Sequence, residues 1–517
     1  MRSIILILAA LLASQAQAEN EKHIKGMACA DLVQLDLPDT KILSATEIPA
    51  GPFPYGNPAP TCASPIAAPQ LPAHCRVIGV VAPAITFEVW LPPAGSWNGK
   101  FQAFGNHGFA GAIDYSDLGP ELVKGYAIAS TDAGHAGDDP LPWMQNPQQI
   151  IDYGYRGVHE MTVKSKAVVK AFYGKAAKYS YFNGCSTGGK EGLMEAQRYP
   201  DDYDGIVVGH PNFDQIGNRA QYVWNGQATF GASPSTPLAG AKLTLINNAV
   251  TAACDALDGV VDGVIDDPRS CPWQPSSLLC QAGQNPATCL TQNEVTALEK
   301  VYAGPKNPRT GASVYPGLVK GSERGWGGHT AGPNIFATAD QFFKYMVFHN
   351  PSWDYRSFNF DTDLGFAVSN YGHLVNATDP DLKEFRNKGG KILHYHSYRS
   401  TTHTAPKSIE YYEEVNATMN RGRRHADFEK LQDFYRLFMA PGGSGNKGPE
   451  KFDPLPYLER WVEQGIAPTR IVASNITAAG VVDRTRPLCP HPQVAVYTGS
   501  GSIDAAENFV CASKSDD

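Results

Sequence analysis

The feature that most constrains this chain lies between residues 76 and 212, where short apolar runs alternate with amphipathic helical stretches. Lys100–Phe104 and Gly125–Ser130 read as strands that end in loops. Glu160–Tyr173 reads as a helix: Met161, Ser165, Val168 and Phe172 fall on one stripe, and Gly174 is a natural stop. Tyr179–Asn183 reads as a strand, Gly189–Tyr199 as a helix ended by Pro200, and Gly205–Val208 as the next strand. Strands separated by helices return parallel to one another, so the expected class is α/β with a mostly parallel sheet.

That rhythm breaks over about 213–388, a stretch rich in Gly and Pro that holds four of the ten cysteines. It resumes with a strand at Lys391–Tyr395, a helix near Ile409–Met419 and a strand at Leu437–Ala440. With 517 residues the chain has room for one large domain carrying an insertion. The expected division is a leader at 1–18, one α/β domain made of 19–212 and 389–517, and an inserted domain at 213–388.

The leader is read from Arg2, the apolar run Ile4–Ala13, and the cleavage pattern Ala16-Gln17-Ala18. No later stretch approaches the ~18 apolar residues of a membrane span, so no membrane partner is expected. Ten cysteines in an exported chain read as disulfides, and the expected location is secreted or periplasmic. Spacing suggests the pairs Cys29–Cys75, Cys254–Cys271, Cys280–Cys289 and Cys489–Cys511, which leaves Cys62 and Cys185. No C-x-x-C spacing supports a zinc site instead. The 43 Lys+Arg against 51 Asp+Glu give a net charge of -8, which argues against nucleic acid as a partner. Oligomeric state is not legible.

Two motifs carry chemistry. Gly184-Cys185-Ser186-Thr187-Gly188 matches G-x-S-x-G with a strand before it and a helix after it. A tight strand-to-helix turn needs small neighbours, and it lifts the Ser186 hydroxyl clear of the sheet. The plainer reading is a Gly/Ser turn that only packs a strand on a helix. The second motif runs from Cys254 to Asp266. Side chains of Asp255, Asp258 and Asp262, with backbone carbonyls of Val260 and Val264, can form an oxygen shell for a structural Ca²⁺. It lacks EF-hand spacing, and the plainer reading is a solvated acidic turn.

The run GCSTGGKEGLMEAQRYPDDYDGIVVGHP at 184–211 resembles the tannase and feruloyl esterase family of serine esterases. So do FEVWLP at 87–92, WNGKFQ at 97–102, STDAGH at 130–135, YRGVHEMT at 155–162, RLFMAPG at 436–442 and TRPLCPHP at 485–492. The resemblance implies an α/β-hydrolase fold with a large lid at 213–388, and ester hydrolysis by a Ser–Asp–His triad. It implies small aromatic acid esters as substrates. It also implies an oxyanion hole made by the N–H of Thr187 and one N–H of the loop Gly105-Asn106-His107-Gly108, assigned to Gly108. The aspartate loop matches the family's lid calcium site, with a structural role far from the ester.

The chain departs from the family pattern at three linked positions. Ser400 stands where the triad Asp is expected. The stretch Gly443-Ser444-Gly445-Asn446-Lys447 lacks the triad His and the Cys after it. In the family that Cys bonds to the one before the nucleophile, so Cys185 is expected to lose its partner. Two functions follow as expectations: a secreted esterase weakened in its triad, or a non-catalytic relative that binds phenolic esters or related ligands. His107 and His403 are the imidazoles that loop position brings forward as substitute bases.

Overall fold

The structure, a computed structural model, describes residues 26–57, 63–137, 139–231, 235–420, 428–443 and 448–513. The leader at 1–18, Cys62 and the loop residues 444–447 lie outside them. Nine strands form the central sheet: β1 Thr40–Ile48, β2 His74–Val81, β3 Ile85–Leu91, β4 Lys100–Phe104, β5 Ala127–Thr131, β6 Tyr179–Cys185, β7 Gly205–Gly209, β8 Lys391–Ser397 and β9 Tyr435–Ala440. Their spatial order is β1-β2-β3-β5-β4-β6-β7-β8-β9. β1, β2, β3 and β5 pair antiparallel. From β5 through β4, β6, β7 and β8 to β9 every pairing is parallel. The class is therefore α/β with an α/β-hydrolase fold, as the alternation required.

Parallel strands are covered on both faces by the helices that connect them, so they read as continuous apolar runs. β5 and β7 are buried at every residue. On one face, Phe101, Ala129, Phe182, Ile206, Val208 and Ile392 pack against Val158, Met161 and Val168 of one helix and Leu193 and Met194 of another. On the opposite face, Trp90, Ile128, Tyr181, Val207, Leu393 and Phe438 pack against Leu118, Leu122, Leu458 and Trp461. Val207 lies between Ile206 and Val208 and points the other way, as the two-residue repeat of a strand dictates.

The helices are α1 Tyr115–Val123, α2 Gly157–Tyr173, α3 Thr187–Arg198, α4 Gln215–Thr229, α5 Ala405–Met419 and α6 Leu455–Gln464, with shorter ones between them. α2 stops at Gly174, whose φ of 71° is the left-handed cap that glycine adopts without strain. Residues 215–387 give no strand to the central sheet. They pack around two apolar clusters, one that Ile216, Phe342, Phe343 and Trp353 share with Trp143, Met144 and Tyr153 of the hydrolase part, and one of Leu243, Val250, Leu298 and Trp326. One short ladder ties this segment to the hydrolase: Val264–Ile265 pairs antiparallel with Gly442–Gly443, just after β9.

The four disulfides read from spacing are present: Cys29–Cys75, Cys254–Cys271, Cys280–Cys289 and Cys489–Cys511. The expectation of an unpaired Cys185 is corrected, because Cys185 is disulfide-bonded. No free cysteine occurs among the described residues. No helix among them is long and apolar enough to cross a membrane.

Candidate active site

Ser186 follows β6 directly and precedes the first residue of α3, with φ 61° and ψ -117°. That backbone is strained for a residue with a Cβ, and it is held by neighbours on both sides. Ser186 N–H donates to the Gly209 carbonyl at 2.9 Å, and Asn212 N–H donates to the Ser186 carbonyl at 3.0 Å. Sterics explain the flanking glycines. A Cβ on Gly184 would lie 2.1 Å from the Gly188 oxygen, and one on Gly105 would lie 2.4 Å from the Gly188 Cα. The strand, the helix and the loop after β4 meet with no room for a methyl group.

That loop forms the other wall. Gly188 N–H donates to the Asn106 carbonyl at 2.7 Å, and Thr187 Oγ1 donates to the Gly108 carbonyl at 2.5 Å. Asn106 N–H is held by Glu191 Oε2 at 2.9 Å. The N–H groups of Thr187 and Gly108 donate to no acceptor among the described residues. Thr187 N–H also opens α3, where the helix dipole favours negative charge. Two uncommitted donors beside a raised serine form the arrangement that stabilises a tetrahedral oxyanion.

The expected partners of a triad are not gathered here. Ser400 closes a turn, its N–H donating to Ser397 O at 3.0 Å. Residues 444–447, where the family's His would stand, lie outside the described residues. Ser186 Oγ makes no hydrogen bond among them.

Three imidazoles stand on the loops that follow β4, β7 and β8. His107 Nε2 lies 3.2 Å from Asp117 Oδ2 and 3.4 Å from Asp114 Oδ2. Burial opposes charge on His107, but the hydrogen bond and charge of Asp117, backed by Asp114 and Glu191, raise its pKa above the usual histidine value. His403 is buried, its carbonyl accepting from His396 Nε2 at 2.9 Å. Burial, with His396 and Arg219 nearby, drives its pKa down to about 3.

His210 was missed by the sequence reading. The β6–β7 register ends at Cys185↔Gly209, so the next residues along, Ser186 and His210, stand side by side. His210 has φ 40°, and its ring lies 5.1 Å from His396 and 5.3 Å from Tyr395. Burial, with His403 and Lys451 adding to it, lowers its pKa to about 3. A lone His inside the run at 184–211 carries no signal of this placement.

The aspartate loop runs on from Cys254, the last residue of a helix, to Asp266. It leads into the ladder with Gly442–Gly443, the residues that begin the His-position loop. Asp255 accepts from Asp262 N and Gly263 N, Asp258 from Val260 N and Asp266 N, and Asp262 from Val264 N. Asp262 also pairs with Arg484 at 3.2 Å and with Arg486. Both carboxylate oxygens of Asp266 are buried, and neither is hydrogen-bonded among the described residues. Burial together with the charges of Asp258 and Asp262 pushes it up to about 7, and burial pushes Asp258 up to about 6. Asp255, Asp258, Asp262 and Asp266 outnumber Arg484 and Arg486, and a cluster that offers only hard oxygen donors fits a calcium-type cation. Among the described residues, the groups whose ligand atoms gather within 4.8 Å are different ones: His107–Asp114–Asp117, and His159–Glu195–Asp202.

A parallel sheet with a serine elbow at a strand-to-helix turn and two free N–H donors defines an α/β-hydrolase. Residues 70–512 match the family described as tannase and feruloyl esterase, and the chain belongs to that family. It is 39% identical to an uncharacterized esterase of Xanthomonas campestris pv. campestris, over 94% of this chain and 91% of that protein. It is 33% identical to the mono(2-hydroxyethyl) terephthalate hydrolase of Piscinibacter sakaiensis, over 88% of this chain and 87% of that one. The crystal structure of feruloyl esterase B from Aspergillus oryzae superposes with a TM-score of 0.83 at 30% identity, covering 93% of this chain and 98% of that one.

Proposed function

We propose that this protein is an exported carboxylic ester hydrolase acting on small aromatic acid esters, with Ser186 as its nucleophile. The observation that carries the reading is the strained Ser186 turn beside the uncommitted N–H groups of Thr187 and Gly108. In this reading Ser186 Oγ attacks the ester carbonyl, and the two N–H groups hold the oxyanion as it forms. Collapse breaks the ester C–O bond, the alcohol leaves with the proton that Ser186 gives up, and water then hydrolyses the acyl-serine to the free acid and Ser186. Phe109 packs edge to face on Trp143 and on Tyr153 beside the oxyanion loop, and the three rings suit an aromatic acyl group.

Turnover is slow in this reading. A serine without a hydrogen-bonded imidazole is a weak nucleophile, and losing a triad member costs serine hydrolases on the order of 10⁴-fold or more. Residues 213–388 act as the lid. Asp255, Asp258 and Asp262, with the carbonyls of Val260 and Val264, hold a structural calcium whose positive charge would offset the crowded carboxylates. Four disulfides among the described residues suit an oxidising location.

The test compares hydrolysis of an activated aryl ester by the unsubstituted protein and by Ser186→Ala, together with fluorophosphonate labelling. Slow turnover and slow labelling, both lost in Ser186→Ala, support the reading. Ser400 at the acid position favours a second reading, a non-catalytic binder of phenolic esters. It wins if neither labelling nor turnover depends on Ser186.

A further inference from the structure

Glu195, in the last turn of α3, is buried without a donor. It is 1% exposed, and neither carboxylate oxygen accepts a hydrogen bond among the described residues. Other buried carboxylates of this chain are answered: Glu191, one turn earlier, accepts from the Asn106 N–H, and Glu323 accepts from Asn247 and Tyr302. Around Glu195 the available protons go elsewhere. The Thr162 hydroxyl donates to the Val158 carbonyl at 2.8 Å, so the Tyr203 hydroxyl donates to Thr162. Lys166 donates to the backbone carbonyl of Asp202. Burial and the facing charge of Asp202 push the Glu195 carboxyl well above the usual carboxylate range. A buried carboxylate with no donor is costly, and a second carboxylate beside it adds to the cost.

The surroundings supply what a cation needs. Ligand atoms of His159, Glu195 and Asp202 all lie within 4.8 Å of one another. His159 stands in the first turn of α2, and Asp202 in the connection from α3 to β7. His159 Nδ1 is 2.7 Å from Asp202 Oδ2. The Tyr199 ring, stacked on the imidazole at 3.7 Å, fixes its plane. The side chains of His159 and Asp202 are 27% and 12% exposed, so solvent reaches these two members while Glu195 forms the floor. Ligands held at 2.0–2.2 Å around a tetrahedral ion stand roughly 3.3 Å apart, so Nδ1 and Oδ2 have to part by only about 0.6 Å to admit one.

We propose that His159, Glu195 and Asp202 form a second metal site, for a zinc-type divalent cation, that clamps the start of α2 to the end of α3. One imidazole nitrogen and two carboxylates suit zinc with water as the fourth ligand, whereas calcium takes six to eight oxygens. The site is separate from the aspartate loop, and it does not depend on the esterase reading. Its role is structural: the ion answers the Glu195 charge and ties together three segments that flank β7.

The test uses the chain without an affinity tag, stripped with chelator and returned to excess calcium so that the aspartate loop is not open to zinc. Zinc is then titrated calorimetrically, and bound metal is counted by elemental analysis after gel filtration. The expected result is about one zinc per chain, a higher melting temperature, and release of about one proton as the ion displaces it from the carboxylate pair. Titrations in two buffers of different ionisation enthalpy read that proton. Loss of even an outer partner weakens metal sites by about 10–100-fold, so Glu195→Gln and His159→Gln should each weaken zinc at least about 100-fold. Gln at 195 keeps the shape of a protonated Glu and can donate to Asp202, so that variant should fold. Asp258→Ala and His107→Gln should keep the zinc. A parent chain that binds no zinc in excess calcium overturns the proposal without any variant: Glu195 and Asp202 then simply share a proton. Zinc that persists in Glu195→Gln, or that leaves with Asp258→Ala or His107→Gln, overturns it as well.

Discussion

Gly105→Ala tests whether the elbow and the oxyanion loop act as one device. The added Cβ would stand 2.4 Å from the Gly188 Cα, 2.8 Å from Glu191 Oε2 and 3.0 Å from Phe182 Cζ. Glu191 is a side chain with freedom to shift. Gly188 is backbone in the first turn of α3, fixed by its own hydrogen bond to Asn106. To reach an ordinary contact, the loop has to retreat from the helix by about 1 Å, carrying Gly108 away from Thr187. Oxyanion donors act over a narrow range of distance, and losing one costs about 10²–10³ in rate. Stability should fall by only about 1–3 kcal/mol, the usual cost of one overpacked methyl group. The assay is the rate of Ser186 acylation by an activated aryl ester or a fluorophosphonate, with the melting temperature measured in parallel. Gly51→Ala is the control, because nothing lies within 4 Å of a Cβ there. A folded Gly105→Ala protein that acylates within about 3-fold of the parent rate would refute the reasoning.

Three further outcomes are expected. Chelation should lower the melting temperature, because a cation bound only by the folded chain stabilises it by mass action, and Asp258→Ala should abolish the effect; an unchanged curve in excess chelator counts against a calcium loop. Thiol labelling of the denatured, unreduced protein should leave Cys185 unmodified, since it is disulfide-bonded; label at Cys185 would contradict the structure. His403, with a folded pKa of about 3, binds its proton far less readily than the unfolded chain does, so its contribution is complete above pH ~6.5 and is lost as pH falls from there toward 3. At pH ~5.5 that loss is about 1.4 kcal/mol, and His403→Gln should flatten the pH dependence of urea unfolding by roughly that amount, while an identical slope in the variant would place the imidazole in water.

What the sequence disclosed depended on whether the cause was local. β7 was legible because a strand buried on both faces is apolar throughout, and Gly205–Val208 is. β1 was not: its nine residues are mostly exposed or half-buried, and their pattern has no clean two-residue repeat. α2 was legible from its stripe, but the first turn went unseen, because a wider turn at Asp152–Arg156 runs straight into it. Ser186 announced itself, since the glycines that its turn requires adjoin it in sequence. Gly108 came only from resemblance; its role depends on the loop that follows the neighbouring strand β4 and meets α3 there. His210 and Glu195 gave no sign. Their meaning lies in strand register and in the absence of a partner, and neither quantity exists before the chain is folded.

The two-rung ladder between Val264–Ile265 and Gly442–Gly443 has a consequence for recombination. Residues 215–387 look like a cassette, entering after one strand of the sheet and leaving before the next. Yet their aspartate loop is closed by partners encoded far downstream: the Gly442–Gly443 backbone, Arg484, whose Nη1 also donates to the Asp262 carbonyl, and Arg486. Grafting another relative's insertion onto this scaffold therefore requires those C-terminal positions to travel with it. A chimera cut only at the two apparent borders would carry a loop stripped of its counter-charges, so the unit that exchanges intact is discontinuous in the gene.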